Sequence, residues 1–497
     1  MDYAAFEQLL ARHVLLNPNA VALQGQAMTL TYAVLQQEVD RLRQDLVFEN
    51  DHQPIAVAVA NHPAWVLLDI AALGYEIPSL PIPFFFTDAQ ILHAVLDAGA
   101  GTLITDEPER FCPIFDGRIA RKTTLIVAGK RLMQLDLRVP EIVLPKGTAK
   151  ITYTSGTTGN PKGVCLSAEH MLTVAESVVN ATGIASDAKH LCVLPLSTLL
   201  ENVAGVYAAL IAGATVCLLP GDKTGLDGSQ LNIRQLHDAL SVTQANTAIF
   251  IPELLHALVH FIEAGATSLP ALRFLAVGGA AVSRVLLDTA KRLGLPVYQG
   301  YGLSECASVV ALNTSQANQV GSVGKALQHV DIKLAEDGEI LVQGQHFLGY
   351  TGNAADSDHE WFATGDIGAM DAQGFLRIEG RKKNVFITSF GRNVSPEWVE
   401  AALLNSPYLI QVCVFGEAKP WNIALIVAKS GVTDQLITQS IAEVNQQLPD
   451  YARITKWMAV SPFSNTNQQL TSNGRLRRQA IYQAYQQAIE HLYKESA

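Results

Sequence analysis

The chain of 497 residues is poor in charge, and the charge it carries has one predominant sign. Only 16% of its residues are Asp, Glu, Lys or Arg, against the roughly 25% that is usual for globular proteins. The net charge is −11 and no basic tail is present, which argues against a protein that binds nucleic acid non-specifically. The six cysteines are scattered without a C-x-x-C pair. This spacing favours free, buried thiols in a reducing cytosol over a disulfide framework or a zinc site.

Long uninterrupted apolar runs are also missing. The most apolar long stretch, residues 54–80, contains Asn61, His62, Asp69 and Glu76. It is too polar for a membrane span and predicts a strand and a helix of a protein core. The chain begins with acidic character and no apolar segment follows, so we expect no secretory signal peptide and a cytoplasmic location. A hydrophobic content of 49% is typical of a well-buried α/β protein.

Short apolar runs alternate with helical periodicity from residue 55 onward. The pattern predicts strands at 55–60, 79–82 and 102–105, with helices at 63–74 and 88–98 between them. Alternating strands and helices of this length form βαβ units in a mostly parallel sheet. The sequence therefore predicts an α/β fold for most of the chain.

The pattern changes after about residue 320. Short strand-like runs are separated there by Asp337-Gly338 and by Asp371 to Gly374, which are hairpin signals and predict an antiparallel β subdomain. The polar stretch Gly380 to Asn384 then interrupts the pattern, and a small α+β unit of the size of an independent domain follows. We place a domain boundary at this stretch, after a large N-terminal domain of residues 1–380.

One segment of unusual composition follows the strand-like run 151–153. Residues 154–163 contain three glycines, four hydroxyl side chains and one lysine, Lys162. Backbone N–H groups freed by glycine, together with hydroxyls and an ammonium, suit the binding of a polyphosphate. The segment is not a Walker A loop, because Pro161 precedes the lysine and Gly163 follows it. The alternative, a flexible surface loop, does not explain the concentration of hydroxyl groups.

Two further glycine-containing turns follow short buried strands. These are Gly278-Gly279-Ala280, after the run 274–277, and Gly300-Tyr301-Gly302, after the run 297–299. Ligands on open α/β sheets gather beyond the carboxyl ends of the strands. Both turns are therefore candidates to face the same site as the phosphate-binding segment.

Three charged side chains complete a candidate nucleotide site. Glu305 suits Mg²⁺, which prefers one or two carboxylates together with phosphate oxygens. Asp366 suits ribose hydroxyls, and Arg381 suits ribose or phosphate. Each has an ordinary structural alternative: Glu305 as a helix cap, Asp366 in a turn and Arg381 in an interdomain ion pair.

The order and spacing of these segments resemble the adenylate-forming superfamily, which contains acyl-CoA synthetases, peptide-synthetase adenylation domains and firefly luciferase. The matching segments are YTSGTTGNPKGV at 153–164, YGLSE at 301–305, ATGDIG at 363–368 and GRKKNVFITSFGRNVSPEWVE at 380–400. The text from 381 to 400, with Leu194-Pro195-Leu196-Ser197 and Glu201, is most similar to the long-chain acyl-CoA synthetase branch. The resemblance covers nearly the whole chain.

The resemblance implies sandwiched, mostly parallel sheets in the N-terminal domain, a hinge at 381–384 centred on Lys383 and a mobile C-terminal domain at 385–497. Lys162, Glu305 and Arg475 are the catalytic residues that it implies, with Thr158 and Glu305 at Mg²⁺. The implied ATP site consists of Thr154, Ser155, Gly156, Thr157, Thr158, Gly159, Lys162, Gly278, Gly279, Ala280, Tyr301, Gly302, Ser304, Asp366, Arg381 and Lys383.

The C-terminal catalytic position departs from the family pattern, since Arg475 stands where the family has its adenylation lysine. A planar guanidinium is not equivalent to an ammonium point charge. Three interpretations remain open: Arg475 replaces the lysine, another lysine such as Lys456 substitutes, or adenylation is poor. A structural role for Arg475 as a cap of the last helix is a further alternative.

A second departure is Thr198, at a position where the long-chain branch commonly has histidine. The helix predicted at 199–211, with small Ala204 and Gly205, is compatible with an apolar acyl pocket and equally with core packing. The resemblance implies an ATP- and Mg²⁺-dependent ligase that joins a fatty or other apolar acid to the phosphopantetheine thiol of CoA or a carrier protein. The alternatives are transfer of the adenylate to an amine or another non-thiol acceptor, and a nucleotide- or acyl-binding protein with little turnover.

Overall fold

The computed structural model describes residues 1–45, 53–154, 162–227, 230–280, 282–354, 360–471 and 474–494. Its α-helices are α1 Tyr3–Leu16, α2 Tyr32–Asp45, α3 Pro63–Gly74, α4 Asp88–Asp97, α5 Pro108–Ile114, α6 Ala168–Thr182, α7 Ala208–Ala212, α8 Gly221–Thr224, α9 Ile233–Thr243, α10 Pro252–Glu263, α11 Arg284–Arg292, α12 Pro396–Leu403, α13 Asp434–Asn445 and α14 Arg478–Lys494. A π-helix, Glu201–Tyr207, leads directly into α7.

The strands are β1 Val21–Gly25, β2 Thr29–Thr31, β3 Ile55–Ala58, β4 Ser79–Pro81, β5 Thr102–Thr105, β6 Ile119–Val127, β7 Lys130–Leu137, β8 Lys150–Thr154, β9 Lys162–Leu166, β10 Lys189–Leu191, β11 Thr215–Leu218, β12 Leu226–Asp227, β13 Gln230–Leu231, β14 Thr247–Phe250, β15 Phe274–Val277, β16 Val297–Tyr301, β17 Ala311–Leu312, β18 Lys325–Ala326, β19 Val330–Leu334, β20 Glu339–Gly344, β21 Gly349–Tyr350, β22 Asn353–Ala354, β23 Phe362–Met370, β24 Leu376–Arg381, β25 Phe386–Ile387, β26 Asn393–Val394, β27 Leu409–Phe415, β28 Asn422–Ala428 and β29 Ile454–Ala459.

Two nine-stranded sheets form the body of the N-terminal domain. The first has the order β18-β17-β16-β15-β14-β10-β11-β1-β2, and its strands from β16 to β1 run parallel. The second has the order β22-β21-β9-β8-β4-β3-β5-β7-β6, with a parallel centre from β8 to β5 and antiparallel edges. Because parallel strands are buried on both faces, their sequences are nearly continuous apolar runs.

The largest apolar core lies where helices α3, α6 and α7 pack against both sheets. Helix α3 is buried along almost its whole length, and Asp69 is the one charged residue in it. Asp69 forms a buried ion pair with Lys150 of β8. Lys150 donates to both Asp69 oxygens at 2.7 and 2.9 Å and to the Tyr207 hydroxyl at 2.9 Å. A buried ammonium requires such partners, since an unpaired charge in the core costs several kcal/mol.

The described residues also contain four smaller sheets, of which β12-β13 and β25-β26 are short antiparallel pairs. Strands β19-β20-β23-β24 form an antiparallel sheet, as the hairpin signals predict. In the C-terminal domain, β27 and β28 pair antiparallel, β29 joins β28 in parallel, and α12, α13 and α14 cover this sheet. The α/β fold class, with sandwiched sheets, an antiparallel subdomain and a small α+β C-terminal domain, is confirmed.

The cysteines and apolar segments also agree with the sequence. All six cysteines are free, and five of them are buried, so burial raises the pKa of thiols such as Cys165 and Cys217 to about 11. Such thiols are protonated and unreactive near neutral pH. Within the described ranges no helix combines the length and the apolar character that a membrane crossing requires.

Candidate functional site

The segment predicted to bind phosphate, residues 154–163, begins and ends on two antiparallel strands. Strand β8 ends at Thr154 and β9 begins at Lys162, with these two residues paired in register. The intervening Ser155, Gly156, Thr157, Thr158 and Gly159 lie outside the described residues. Lys162 therefore stands on a strand, where the sequence predicted a loop residue, and its exposed side chain projects from the start of β9.

Close packing at the base of this segment requires a glycine. A Cβ on Gly163 would lie 2.6 Å from Thr351 Cγ2 and 2.9 Å from Tyr153 Cζ. The hydroxyls of Thr351 and Tyr153 both donate to Asp97 Oδ2, at 2.5 and 2.6 Å. The Asp97 carboxylate thus links Tyr153 of β8 to Thr351, which directly follows β21, and these two strands flank β9.

Two strand-end turns of the first sheet lie side by side. Gly278 follows β15, and a Cβ on it would lie 3.4 Å from Gly300 O in β16. Beyond β16, a Cβ on Gly302 would lie 1.5 Å from Ser308 O, so only glycine fits where the chain turns towards Glu305. The turn continues as a short 3₁₀ helix, Ser304–Cys306. The structure therefore brings together the two turns that the strand-end argument selected.

Asp366 is the centre of a buried polar group. It lies on strand β23, only 3% exposed, where its Oδ2 accepts from the Tyr301 hydroxyl at 2.6 Å. Its Oδ1 pairs with Arg381 Nε at 2.7 Å. Burial raises the pKa of Asp366, while Arg381, Tyr301 and Arg475 act in the opposite direction. The carboxylate belongs to a strand and not to a turn, so that structural alternative is wrong.

Arg475 reaches this group from the C-terminal domain. Its Nε donates to Gly279 O at 3.0 Å, and a Cβ on the preceding Gly474 would lie 2.7 Å from Glu253 Oε1. The side chain keeps access to solvent. Crowding by protein atoms and the Arg381 charge lower the pKa of Arg475, whereas Asp366, Tyr301 and Glu305 oppose that shift. The guanidinium therefore lies among the charged residues of the site.

Two of the alternatives for this position, a helix cap and a role for Lys456, do not match the geometry. Helix α14 begins at Arg478, so Arg475 lies before the helix and does not cap it. Lys456 lies on β29, with its Nζ 5.6 Å from the centre of the Trp421 ring inside the C-terminal domain. Of these residues, the structure places Arg475 at the contact with Gly279.

A buried ion pair, which the sequence patterns did not reveal, holds the Arg475 segment in place. Arg478 binds Glu400 in bidentate fashion, at 2.6 and 2.5 Å. Glu397, one turn earlier on α12, lies 3.5 Å from the same guanidinium and accepts from Asn384 at 2.5 Å. Because a bidentate pair fixes orientation as well as distance, the start of α14 is tied to α12 and to the end of the polar stretch.

The polar stretch forms a 3₁₀ turn between the two domains. Lys382 pairs with Asp337 and Glu339, each at 2.6 Å, in the antiparallel subdomain. Burial and the neighbouring Arg381 lower the pKa of Lys383. An open cleft is lined by Gly365, Arg381, Lys382 and Lys383.

A second buried cluster was not predicted as a unit. His190 Nε2 lies 2.7 Å from Glu201 Oε1, and Glu201 Oε2 accepts from Leu194 N at 2.9 Å. Cys192 lies beside them, and the three side chains are potential metal ligands. The 2.7 Å separation suits a hydrogen bond, whereas two ligands of tetrahedral zinc lie about 3.4 Å apart when each bond is about 2.1 Å. We interpret the cluster as a hydrogen-bonded core element.

Gly205 packs against this cluster. A Cβ on Gly205 would lie 2.5 Å from Glu201 Oε1 and 2.6 Å from His190 Nε2. The small residue that was compatible with an acyl pocket thus serves core packing. It lies in the π-helix, where the sequence predicted ordinary α-helix. One extra residue per turn in that segment changes which side chains face the core.

Comparison with known proteins identifies the family. Residues 10–350 match the AMP-binding enzyme family, and residues 383–497 match the AMP-binding enzyme C-terminal domain. A long-chain-fatty-acid–CoA ligase of Mycobacterium bovis is 27% identical, over 75% of this chain and 72% of that protein. A 2-succinylbenzoate–CoA ligase of Bacillus pumilus is 30% identical, over 80% of this chain and 82% of that protein.

Solved structures show the same fold. An anthranilate CoA ligase in complex with anthranoyl-AMP superposes with a TM-score of 0.80 at 18% identity, over 99% of this chain and 100% of that one. O-succinylbenzoate coenzyme A synthetase of Bacillus subtilis, in complex with ATP and magnesium ion, gives 0.75 at 23% identity, over 95% and 98%. The family match covers more than half of the chain, and the fold agrees over nearly all of it. The chain therefore belongs to the AMP-binding enzyme family and is an adenylate-forming acid–thiol ligase.

Proposed function

We propose that this enzyme activates an apolar carboxylic acid with ATP and transfers the acyl group to the phosphopantetheine thiol of CoA. In the first step a carboxylate oxygen attacks the α-phosphorus of ATP, and the bond to pyrophosphate breaks. In the second step the thiol attacks the acyl carbon, the thiol proton is lost and AMP leaves. A carrier protein that bears the same phosphopantetheine is the alternative thiol donor.

The observation that carries this proposal is the position of Arg475 beside the buried polar side chains around Asp366. A cation from the C-terminal domain touches Gly279 and lies near both Asp366 and Glu305. Negative charge that develops during adenylation is stabilised best by donors that are already in position. The domain arrangement therefore supports the first half-reaction, with Arg475 in the place of the family lysine.

The described residues fit ATP in their donor chemistry. Asp366 has a carboxylate suited to ribose hydroxyls, and Arg381 lies beside it as a donor. Gly278, Gly279 and Ala280, with Tyr301, are proposed to border the adenine. Lys162 is proposed to bind the β- and γ-phosphates. The remaining phosphate-segment residues that the resemblance implies, from Thr154 to Gly159, belong to the same proposal.

The fit for Mg²⁺ rests on Glu305, a half-buried carboxylate with one hydrogen bond from a tyrosine. A single carboxylate that accompanies phosphate oxygens is the donor set Mg²⁺ prefers. Glu305, together with Thr158, would hold the ion. When bound, Mg²⁺ neutralises charge on the phosphates.

The second step requires the C-terminal domain to turn. We propose a boundary after residue 380, a hinge at 381–384 with Lys383 at its centre, and a moving domain at 385–497. Among the described residues, the contacts that the motion would break include the Arg475–Gly279 bond, the bond from Arg284 N to Asn405 Oδ1 at 3.0 Å and the approach of Lys429 Nζ to His260 Nε2 at 3.5 Å. Rotation would carry the 391–396 loop to the thiol and remove Arg475 from Gly279, because Arg475 moves with its own domain.

The acid remains the open part of the proposal. The relatives include ligases for a long-chain fatty acid and for 2-succinylbenzoate, so both aliphatic and aryl acids belong in the screen. Thr198, which does not titrate, further separates this site from the histidine-containing long-chain branch. A cytoplasmic location remains a prediction from the sequence.

The experiment is pyrophosphate release from ATP with a panel of fatty acids of different lengths and aryl acids, followed by addition of CoA or a pantetheinylated carrier protein. We expect release that depends on one class of acid, and a thioester when the correct thiol is added. Release followed by acylation of an amine alone would favour the non-thiol alternative. Tight ATP binding without release for any acid would favour the binding-protein alternative and overturn the proposal.

A further inference from the structure

A short segment of the chain connects the two charged residues assigned to the phosphates and Mg²⁺. Phe347 N donates to Glu305 O at 2.7 Å, at one end of the segment. Further along, Thr351 N donates to Gly163 O at 2.9 Å, next to Lys162. Strand β21, which holds Tyr350, lies between these two attachments and pairs with β9. The backbone of Tyr350 is thus fixed relative to both charged residues.

The side chain of Tyr350 contacts each of them in a different way. Its hydroxyl donates to Glu305 Oε1 at 3.1 Å, and its ring centre lies 5.2 Å from Lys162 Nζ. A phenol is protonated near neutral pH, so this hydroxyl is a donor to the carboxylate. The anion therefore faces the polar edge of one residue, while the cation lies over its ring.

The ring itself is held from behind. Phe347 packs against it edge-on, with 4.8 Å between the ring centres. The next residue, Thr351, is anchored to Asp97, which also binds Tyr153. Tyr350 consequently has little freedom to follow a moving side chain, as a positioning residue requires.

A lysine that binds phosphate and a carboxylate that binds Mg²⁺ in the same site could form an ion pair with each other. Such an ion pair would compete with binding of the Mg²⁺ complex of ATP. Among the described residues, Lys162 and Glu305 form no such ion pair; each contacts Tyr350 instead. The aromatic ring satisfies both charges while keeping them apart. A site arranged in this way is already organised for ATP and needs no ion pair to be broken first.

We propose that Tyr350 is a positioning residue that holds Glu305 for Mg²⁺ through its hydroxyl and Lys162 for phosphate through its ring. The proposal rests on the proposed function, because it takes the ligand to be the Mg²⁺ complex of ATP. It predicts that the two contacts are separable: loss of the hydroxyl affects Mg²⁺, whereas loss of the ring also affects phosphate.

The test is calorimetric measurement of the ATP dissociation constant on the full chain, with and without Mg²⁺. Tyr350→Phe should leave Mg²⁺-free affinity within about twofold and reduce the gain from Mg²⁺ about tenfold, the size of one hydrogen bond to a charged group. Tyr350→Leu should in addition weaken Mg²⁺-free affinity about threefold, the size of an exposed cation–π contact. Tyr493→Phe is the matched control, since it removes a tyrosine hydroxyl bond to Phe415 O in the C-terminal domain.

A double-mutant comparison excludes a merely structural effect. Once Glu305→Gln has been introduced, Tyr350→Phe should cause no further loss of the Mg²⁺ gain, because the group it positions is gone. An undiminished Mg²⁺ gain in Tyr350→Phe, or an additive loss in the double variant, would overturn the proposal. Binding is measured without turnover, so failure of acid-dependent pyrophosphate release would reject the proposed function while leaving this test interpretable.

Discussion

Replacement of Arg475 by alanine removes the guanidinium and leaves its surroundings in place. The backbone bond from Arg475 N to Thr471 Oγ1, at 3.0 Å, does not depend on the side chain. The pair between Arg478 and Glu400 continues to anchor the segment. The variant therefore tests the interdomain cation alone, and not the fold of the C-terminal domain.

We take the size of the effect from the hydrogen bond that the substitution removes. Arg475 Nε donates to Gly279 O at 3.0 Å, and a charge-assisted hydrogen bond contributes roughly 1.5–3 kcal/mol. Since each ~1.4 kcal/mol is tenfold in rate, adenylation should slow by about 10- to 150-fold. Arg475→Lys keeps the charge but not the planar fork, so we expect a loss smaller than that of the alanine variant.

The assay separates the half-reactions. Single-turnover pyrophosphate release measures the first step, and thioester formation from supplied acyl-adenylate and CoA measures the second. Arg475→Ala should slow the first and leave the second within about twofold, since the rotated domain no longer needs this cation. Arg477→Ala is the control, because Arg477 is a neighbouring exposed arginine. Equal loss in both steps, or no loss in either, would refute the assignment.

Three further substitutions test other parts of the account. Asp366→Asn should weaken ATP binding at least about tenfold by calorimetry, because an amide cannot replace the carboxylate as the acceptor for the ribose hydroxyls and the nearby arginines. Unchanged affinity would show that Asp366 is not part of the ATP site. Gly205→Ala, whose Cβ would meet Glu201 at 2.5 Å, should cost about 1–3 kcal/mol and lower the thermal midpoint; an unchanged midpoint would contradict tight packing there. Burial lowers the pKa of His170 to about 3. Because the folded protein favours the neutral imidazole, the contribution of His170 to the free energy of unfolding is complete above about pH 6.5. It is lost as the pH falls, by about 2 kcal/mol at pH 5. His170→Leu should remove this part of the pH dependence of the denaturation midpoint, and an identical dependence would exclude His170 as its source.

Local patterns in the sequence predict the parallel part of the fold well. Helix α3 begins at Pro63 and ends at Gly74, as its periodicity and flanking residues indicate. Strands β5 and β15 likewise match their apolar runs. Such elements are buried on most sides, so composition alone carries the signal.

Other elements depend on tertiary contacts that no local pattern records. Strands β6 and β7 form an antiparallel hairpin at the edge of the second sheet, and the exposed residues of β6 show no apolar alternation. Strand β23 carries Asp366 and was not predicted, because glycine at 365 and 368 weakens any strand pattern. The π-helix follows from the packing of Gly205 against a cluster that forms only in the folded chain.

The candidate site likewise combines features that local sequence patterns predict with features that depend on tertiary contacts. Glycine-rich turns and isolated charges were visible in the sequence, and the structure brings Tyr301, Asp366, Arg381 and Arg475 into one group. The Arg478–Glu400 pair and the Tyr350 contacts were not visible. Arg478 and Glu400 lie 78 positions apart and Tyr350 and Glu305 lie 45 apart, and a single arginine or tyrosine carries no spacing signal.

The most direct test of the central claim is acid-dependent exchange of labelled pyrophosphate into ATP, which reports adenylate formation whatever the final acceptor. We predict exchange that requires Mg²⁺ and one class of apolar acid, and that falls sharply in Arg475→Ala while remaining near normal in Arg477→Ala. Absence of exchange with every acid, from a chain that still binds ATP, would contradict the claim that this enzyme forms an acyl-adenylate.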